Sequence, residues 1–297
     1  MRTFVTGGAG FIGSNLVDAL LERGDDVVVV DDLSSGKREH VNPGARFVEA
    51  DIRKGIDAAG AEVIFHLAAQ ADVQTSLRRP DHDAAVNVVG TVKVLEAAQD
   101  SGAQVVFSST GGAIYGECEQ PAGEDGPRLP MSPYGIAKLC GEEYLAGWNR
   151  IHDTGHVTLR FGNVYGPRQD ASLEGGVVSI FLERLGRGEE TTIFGDGQQT
   201  RDFVYVGDVV AALLAATGTR GGVFNVGTGQ DRSVLELHRL CAKVAGSSAE
   251  PRLEAARLGD VRHSRLDVSR AASVLGWRAE TSLEDGLAQT WKWFEGA

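Results

Sequence analysis

The sequence predicts a doubly wound α/β fold: a parallel sheet with helices on both faces, followed by a smaller C-terminal α/β part. Three observations carry this. Short apolar segments alternate with amphipathic ones through the first 165 residues. A glycine-rich turn, Gly7-Gly8-Ala9-Gly10-Phe11-Ile12-Gly13, stands directly between the first apolar segment and the first helical one. The second apolar segment carries four consecutive valines, Val27 to Val30, a run suited to a strand buried on both faces. Short apolar strands alternating with helices specify a parallel sheet covered on both sides.

The elements follow in order. Arg2–Thr6 reads as the first strand and Ser14–Arg23 as an amphipathic helix stopped by Gly24. Later strands are expected at Asp26–Val30, Arg46–Glu49, Val63–Leu67, Gln104–Ser108 and Val157–Phe161, with helices near Asp81–Gln99 and Tyr134–Ile151. Residues 1–165 therefore form most of a Rossmann-type domain. The segment 203–227, a helix over Val206–Ala215 and a strand over Val223–Val226, is expected to return to it. Residues 166–202 and 228–297 are expected to form the second domain. Ser233 with Glu236, and Thr281 with Glu284, have capping-box spacing and mark helix starts. The closing Trp291-Lys292-Trp293-Phe294 reads as packing of a last helix, not as a base-stacking platform.

Composition narrows the function classes. The 297 residues are enough for one large domain or two fused ones, and the 42% apolar content is that of a globular protein. A net charge of −12 argues against non-specific binding to nucleic acid or to an anionic membrane. No apolar run approaches the roughly 20 residues of a membrane helix, and the N-terminus runs straight into the glycine turn rather than through a signal peptide. Cys118, Cys140 and Cys241 are odd in number and widely spaced, which suits reduced thiols rather than a disulfide framework or a metal site. The expectation is a soluble cytoplasmic protein without a metal.

Gly7, Gly10 and Gly13 stand after a strand and before a helix, the setting in which such glycines bind a dinucleotide. The first allows the tight turn, the second lets backbone approach a pyrophosphate, and the third lets helix and strand pack closely. The helix start then offers free N–H groups to phosphate. Asp31 and Asp32 follow the second strand, where a carboxylate bonds the ribose hydroxyls and repels a 2′-phosphate; NAD is thus favoured over NADP. Asp51 and Ile52, after the third strand, are placed beside the adenine. Leu67, Ala68 and Ala69 end the fourth strand, and Ser108, Ser109 and Thr110 the fifth; ligands of open α/β sheets lie at such ends. The small alanines leave room for a cofactor, and the hydroxyls can bond a reacting group. Tyr134 and Lys138, four apart, share one face of a helix. An ammonium near a phenol favours the phenolate, lowering a pKa normally about 10 and making a general base and acid.

Together the glycine turn, His66-Leu67-Ala68-Ala69-Gln70, Ser108-Ser109-Thr110, Tyr134 to Lys138, Arg160 to Arg168, Thr200 to Val206 and Arg257 to Arg262 run nearly from end to end of the chain. In these motifs it resembles the extended short-chain dehydrogenase/reductase superfamily, and within it the nucleotide-sugar epimerases and dehydratases of the UDP-glucose 4-epimerase type. That resemblance implies that Tyr134 takes the proton of the sugar 4-hydroxyl while C4 gives hydride to tightly bound NAD, that Lys138 tunes Tyr134 and holds the nicotinamide ribose, and that Thr110 bonds the 4-oxygen. The 4-keto sugar then turns and is reduced on its other face. Counting forward from Phe107 selects Thr110, counting back from Tyr115 selects Gly111, and Ser109 is the second choice of hydroxyl. The resemblance extends the cofactor contacts to Phe11, Ile12, Ser34, Ser35, Gly36, Asn87 and Phe161. It gives the sugar nucleotide to Asn163, Val177, Val178, Thr192, Phe194, Arg201, Arg257, Asp260 and Ser264; apolar core is an equal reading for the two valines. Related dehydratases and decarboxylases place acids after the strand-end threonine. Here Gly111-Gly112-Ala113 follows, which points to oxidation and re-reduction at C4 with no step between. The small Ser264 leaves room for an N-acetyl group. UDP-glucuronate and TDP-sugars stay open as substrates, as do a dehydratase or net oxidoreductase and, remotely, a non-catalytic NAD-binding protein. The resemblance further implies a homodimer through the helices near 85–100 and 134–151.

Overall fold

The computed structural model describes residues 1–171, 176–256 and 261–296. Strands are β1 Arg2–Thr6, β2 Asp26–Asp31, β3 Arg46–Glu49, β4 Val63–His66, β5 Gln104–Thr110, β6 Val157–Phe161, β7 Asn163–Tyr165, β8 Thr192–Phe194, β9 Thr200–Arg201, β10 Phe203–Tyr205, β11 Gly222–Val226, β12 Arg232–Ser233 and β13 Arg252–Glu254. Helices are α1 Phe11–Glu22, α2 Val73–Arg78, α3 Pro80–Ala84, α4 Gly90–Ser101, α5 Gly111–Ile114, α6 Pro133–His152, α7 Val177–Gly186, α8 Val206–Ala215, α9 Val234–Val244 and α10 Leu283–Gly296. Seven strands form one parallel sheet in the order β3-β2-β1-β4-β5-β6-β11. The strand order reverses between β1 and β4, and that switch is where such sheets open a crevice for ligands.

The valine run shows why both faces are covered. Val27 and Val29 point into one core with Leu16, Val17 and Leu20 of α1 and Val209 and Leu213 of α8. Val28 and Val30 point into the other, with Val94, Leu95 and Ala98 of α4 and Leu145 of α6. This is the two-residue alternation of a strand with no solvent face. A third core lies elsewhere, among α7, α9, α10 and β8, built on Val178, Phe181, Leu182, Ile193, Leu237 and Leu287. The last helix packs there as expected: a Cβ on Gly186 would stand 2.6 Å from the Trp291 ring.

Several boundaries differ from the sequence reading, each for a local reason. α1 begins at Phe11 rather than Ser14, because Gly10 in extended conformation caps it. The helix expected over Asp81–Gln99 is broken by a π-turn at Ala85–Val89, between α3 and α4. β5 continues to Thr110, since Ser109 and Thr110 still pair with Arg160 and Phe161. The capping box at Ser233 and Glu236 forms in full. The one placed at Thr281 and Glu284 does not: Ser282 accepts from the Asp285 N–H at 3.1 Å, while the Glu280 and Thr281 N–H groups go to the Asp208 carboxylate. Asp208 thus takes the donors that the shifted cap leaves. Among the described residues no helix is long and apolar enough to cross a membrane.

One charged group sits in the middle of this apolar frame. Arg160 of β6 is 1% exposed and Glu142 of α6 is 4% exposed, and they pair at 2.6 Å. Glu142 also accepts from the Ser109 hydroxyl at 2.5 Å, and Arg160 donates to the Tyr115 hydroxyl at 2.7 Å and to the Glu124 carbonyl at 3.1 Å. The Tyr115 hydroxyl in turn donates to Asn225 Oδ1 of β11 at 2.7 Å. Truncating one partner of such a pair leaves the other buried and unpaired. Glu142→Ala is therefore expected to lower stability by about 3–5 kcal/mol, read as a lower denaturant midpoint; an unchanged midpoint would show that Arg160 finds another partner.

Candidate active site

The glycine turn is built by contact distances that admit no side chain. Gly7 has φ +73°, and a Cβ on it would stand 2.6 Å from the Ala68 amide nitrogen. A Cβ on Gly13 would stand 2.1 Å from the Gly7 carbonyl oxygen, so α1 lies directly on β1. The α1 N-terminus has no side-chain cap and no acid in its first turn. Free N–H groups and the positive end of the helix dipole therefore face the switch point, an arrangement that suits a diphosphate. Asp31 is 7% exposed and accepts from the Ala9 N–H at 3.0 Å and the Leu33 N–H at 2.9 Å. It binds the glycine turn to the end of β2 and keeps lone pairs free for ribose hydroxyls. Burial raises its pKa, against the pull of those two N–H groups. Asp32 takes the Ser34 N–H and hydroxyl, and Ser34 and Ser35 are exposed. Gly36 lies tight on Ala9 and Asp31, with no room for a Cβ. These residues fit a dinucleotide along the crevice.

Other expected contacts fall at the same sheet edge, with different availability. Leu67, Ala68 and Ala69 are half-buried beside Gly7. Asp51 caps a short 3-10 turn and pairs with Arg53 at 2.7 Å, while Ile52 is core, packed on Gly90. Phe161 is core at the end of β6. Asn87, in the π-turn, donates to the Gln70 carbonyl at 2.8 Å and accepts from the Gln70 N–H at 2.9 Å.

Tyr134 and Lys138 stand on the first two turns of α6. Ser132 caps the helix and Pro133 opens it. Gly135 lets this turn approach α5 so closely that a Cβ would stand 2.5 Å from the Ala113 carbonyl oxygen. That approach brings the Tyr134 phenol beside Thr110. Ser109, the second choice of hydroxyl, is buried and donates to Glu142 instead. The Ser108 hydroxyl donates to the His66 carbonyl at 3.1 Å, and the Ser108 carbonyl accepts from Lys138 Nζ at 2.9 Å. His66 bridges Thr6 and Thr91, and burial beside Lys138 pushes it down to about 3, so it is neutral.

The electrostatics of the pair differ from the sequence reading. Tyr134 is not lowered by Lys138: its phenol is pushed up to about 12, first by burial and then by the Asp83 carboxylate, with the Thr110 hydrogen bond pulling the other way. Burial lowers Lys138 to about 8, against Asp83 and Glu142, which both hold its proton. Two acids thus favour the Lys138 ammonium, while burial and Asp83 outweigh any pull of that charge on the phenol.

Gly111, Gly112 and Ala113 follow Thr110. A Cβ on Gly111 would strike the Leu266 side chain at 2.7 Å, whereas one on Gly112 meets nothing nearer than Asn163 Oδ1 at 3.4 Å. Asn163 is therefore close to Thr110. Arg201 is half-buried and donates to the Thr200 carbonyl at 2.8 Å, and Ser264 is buried, its N–H on the same carbonyl. Thr192 and Phe194 are half-buried on β8. Val178 is core, with Val177 at its edge, so of the two readings offered for the valines Val178 takes the apolar one. Arg257 and Asp260 lie outside the described residues. No cluster able to hold a metal exists among the described residues. The sequence reading missed Asp83, Glu142 and Arg160; the signals were a charge inside a buried strand, Arg160, and an acid one helical turn beyond Lys138.

The family model of the NAD dependent epimerase/dehydratase family matches residues 3–227. The chain belongs to that family. A UDP-glucose 4-epimerase of Mycolicibacterium smegmatis is 48% identical, over 99% of this chain and 98% of that protein. The crystal structure of a UDP-glucose 4-epimerase with UDP-glucose from Thermotoga maritima superposes with TM-score 0.97 at 47% identity, covering 100% of this chain and 99% of that one. A Thermus thermophilus UDP-glucose 4-epimerase in complex with NAD gives TM-score 0.92 at 40% identity, covering both chains fully. The glycine turn of this chain depends on absent side chains. Gly13→Ala is expected to yield protein that carries little or no NAD, measured as nucleotide released on denaturation; full occupancy would show that the turn relaxes around the methyl group.

Proposed function

We propose that this protein is an NAD-dependent 4-epimerase interconverting UDP-glucose and UDP-galactose. The observation that carries this reading is the placing of Tyr134 beside Thr110 at the end of β5, followed by Gly111-Gly112-Ala113. One hydroxyl and one phenol can bind and deprotonate a sugar hydroxyl, and the three residues beside them offer no acid for elimination or decarboxylation. The 48% identity to a UDP-glucose 4-epimerase over nearly the whole chain supports the same activity. NAD is the cofactor, and when bound it supplies the hydride acceptor and donor.

The chain's own residues do the rest. Thr110 holds the sugar 4-oxygen. Tyr134 takes the 4-hydroxyl proton and returns it after the sugar has turned over. Lys138, anchored on the Ser108 carbonyl, carries the positive charge beside the transfer. Asn163, Arg201 and Arg257 take the diphosphate, where guanidinium forks match phosphate oxygens. Asp260 takes the nucleoside ribose, and Thr192, Phe194 and Val177 border the base. We assign these residues to a substrate domain formed by 166–202 and 228–297 around the third core, and the sheet with 203–227 to the cofactor domain. We further infer a homodimer through the π-turn, α4 and α6, whose exposed Val89, Tyr144 and Ile151 support an apolar contact. The free cysteines support a place in the reducing cytoplasm, and the proposed substrate pair implies a role in galactose metabolism.

Ser264 favours a second substrate pair. It is buried and small, leaving space for an acetamido group, so UDP-N-acetylglucosamine is expected to be turned over as well as UDP-glucose. Two measurements test these assignments. Incubation with UDP-glucose without added NAD is expected to invert C4, followed by proton NMR, and Tyr134→Phe to cut the rate beyond the ~10²–10⁴ of general acid–base help; no inversion by NAD-loaded wild type would sink the epimerase reading. Ser264→Tyr is expected to abolish turnover of the N-acetyl sugar while sparing UDP-glucose, and full activity of that variant on both sugars would remove Ser264 from specificity.

A further inference from the structure

Asp83 is a buried acid that the proposed chemistry does not use. It lies on α3, 1% exposed, where α3 packs against α6. Its Oδ1 accepts from Gln70 Nε2 at 2.9 Å and from Asn87 Nδ2 at 3.0 Å. Its Oδ2 is buried and has no hydrogen-bond partner among the described residues. A bare carboxylate oxygen out of water is unfavourable, and natural folds keep such groups mainly where function needs the charge. The surroundings are equally specific. Gln70 belongs to the loop after β4, at the sheet switch, and Asn87 sits in the π-turn that interrupts the helix, a distortion common at functional sites. Gln70, Asn87 and Asp83 thus tie the cofactor edge of the sheet to the helix that faces Tyr134 and Lys138.

We propose that Asp83 is a positioning residue for the proton-transfer pair, a fixed negative charge set against Tyr134 and Lys138 that decides where on the pH scale the pair works. This rests on the reading of those two residues given above. The charged and titratable groups facing the pair are Asp83 from α3, Glu142 from the next turn of α6 and His66 from β4, and His66 is neutral. Glu142 is engaged by Arg160 and Ser109, whereas Asp83 has only neutral donors, so its charge is the less compensated. Burial raises the Asp83 carboxyl, and the Gln70 and Asn87 hydrogen bonds and the Lys138 charge act against that rise and favour the carboxylate. Asp83 favours the protonated phenol and the charged ammonium together. Burial and, after it, Asp83 therefore keep the proton on the phenol in the resting protein, and an added positive charge, such as an oxidised nicotinamide ring, opposes both.

Asp83→Asn separates charge from shape, because its amide oxygen can still accept from Gln70 and Asn87. The Tyr134 phenolate is read in the NAD-loaded protein by ultraviolet difference titration against Tyr134→Phe, which isolates one of the five tyrosines. The acidic limb of kcat/KM with UDP-glucose is read in parallel. The expected result is that both move to lower pH by about one unit or more, the size of effect a nearby charge produces, with Tm not lowered. Asp83→Glu is expected to restore the wild-type limb, and Asp83→Ser to repeat the shift if the asparagine variant does not fold. An unmoved phenolate titration in a folded neutral variant, or a lowered Tm with an unmoved limb, would make Asp83 merely structural and overturn the proposal. A moved titration in a protein that does not invert C4 would leave Asp83 in its role and remove the epimerase reading instead.

Discussion

Glu142 and Arg160 are both withdrawn from water, and neither charge is tolerable there without the other. Their pair constrains nearly everything around the candidate active site. Glu142 lies one helical turn beyond Lys138, so satisfying Arg160 fixes the rotation of α6 and with it the face carrying Tyr134 and Lys138. The same carboxylate takes the Ser109 hydroxyl, which leaves the neighbouring Thr110 on the other side of β5 as the hydroxyl available to Tyr134. Arg160 reaches Tyr115 and Glu124, and Tyr115 reaches Asn225 on the edge strand β11. One polar chain thus joins β5, β6, α6 and the returning segment, and every member has a partner, which is the condition under which a buried network rigidifies rather than weakens a core.

The glycine turn is a second constraint of the opposite kind, made of absences. Gly7, Gly13 and Gly36 lie where a methyl group would collide with backbone or with a neighbouring side chain. Close packing of α1 on β1 leaves its N-terminus, which has no side-chain cap, at the place where the strand order reverses. Gly135 does the same for α6 against α5. Gly111 does it for Leu266, which fills the space that an acidic side chain would need beside Thr110. Packing thus opposes a side chain at Gly111, whereas at Gly112 the missing chemistry alone supports the redox-neutral reading.

Around Tyr134 and Lys138 the field is not the simple attraction of an ammonium for a phenolate. Asp83 and Glu142 hold the proton on Lys138, and burial followed by the Asp83 charge holds the proton on the phenol. The partnerless Asp83 oxygen is a local loss of stability beside the reacting groups, where such conflicts are expected.

Much of this was legible in the sequence because it depends on local periodicity and on residue type at fixed spacing. The valine alternation, the glycine turn followed by Asp31, the Tyr134–Lys138 spacing and the Ser233 cap are all short-range, and all took the expected form. Boundaries moved by a few residues where a tertiary partner took the backbone donors, as Asp208 did at Thr281. What sequence could not determine were the long-range pairings. Ser109 and Thr110 are adjacent and chemically alike; only the position of Glu142, 33 residues on, separates them. Asp83 and α6 are far apart in the chain, and the Asp83 charge, which adds to burial in holding up the Tyr134 phenol, reaches it only because α3 packs on α6. Charge interactions depend on distance in space and on exclusion of water, and both are properties of the packed fold.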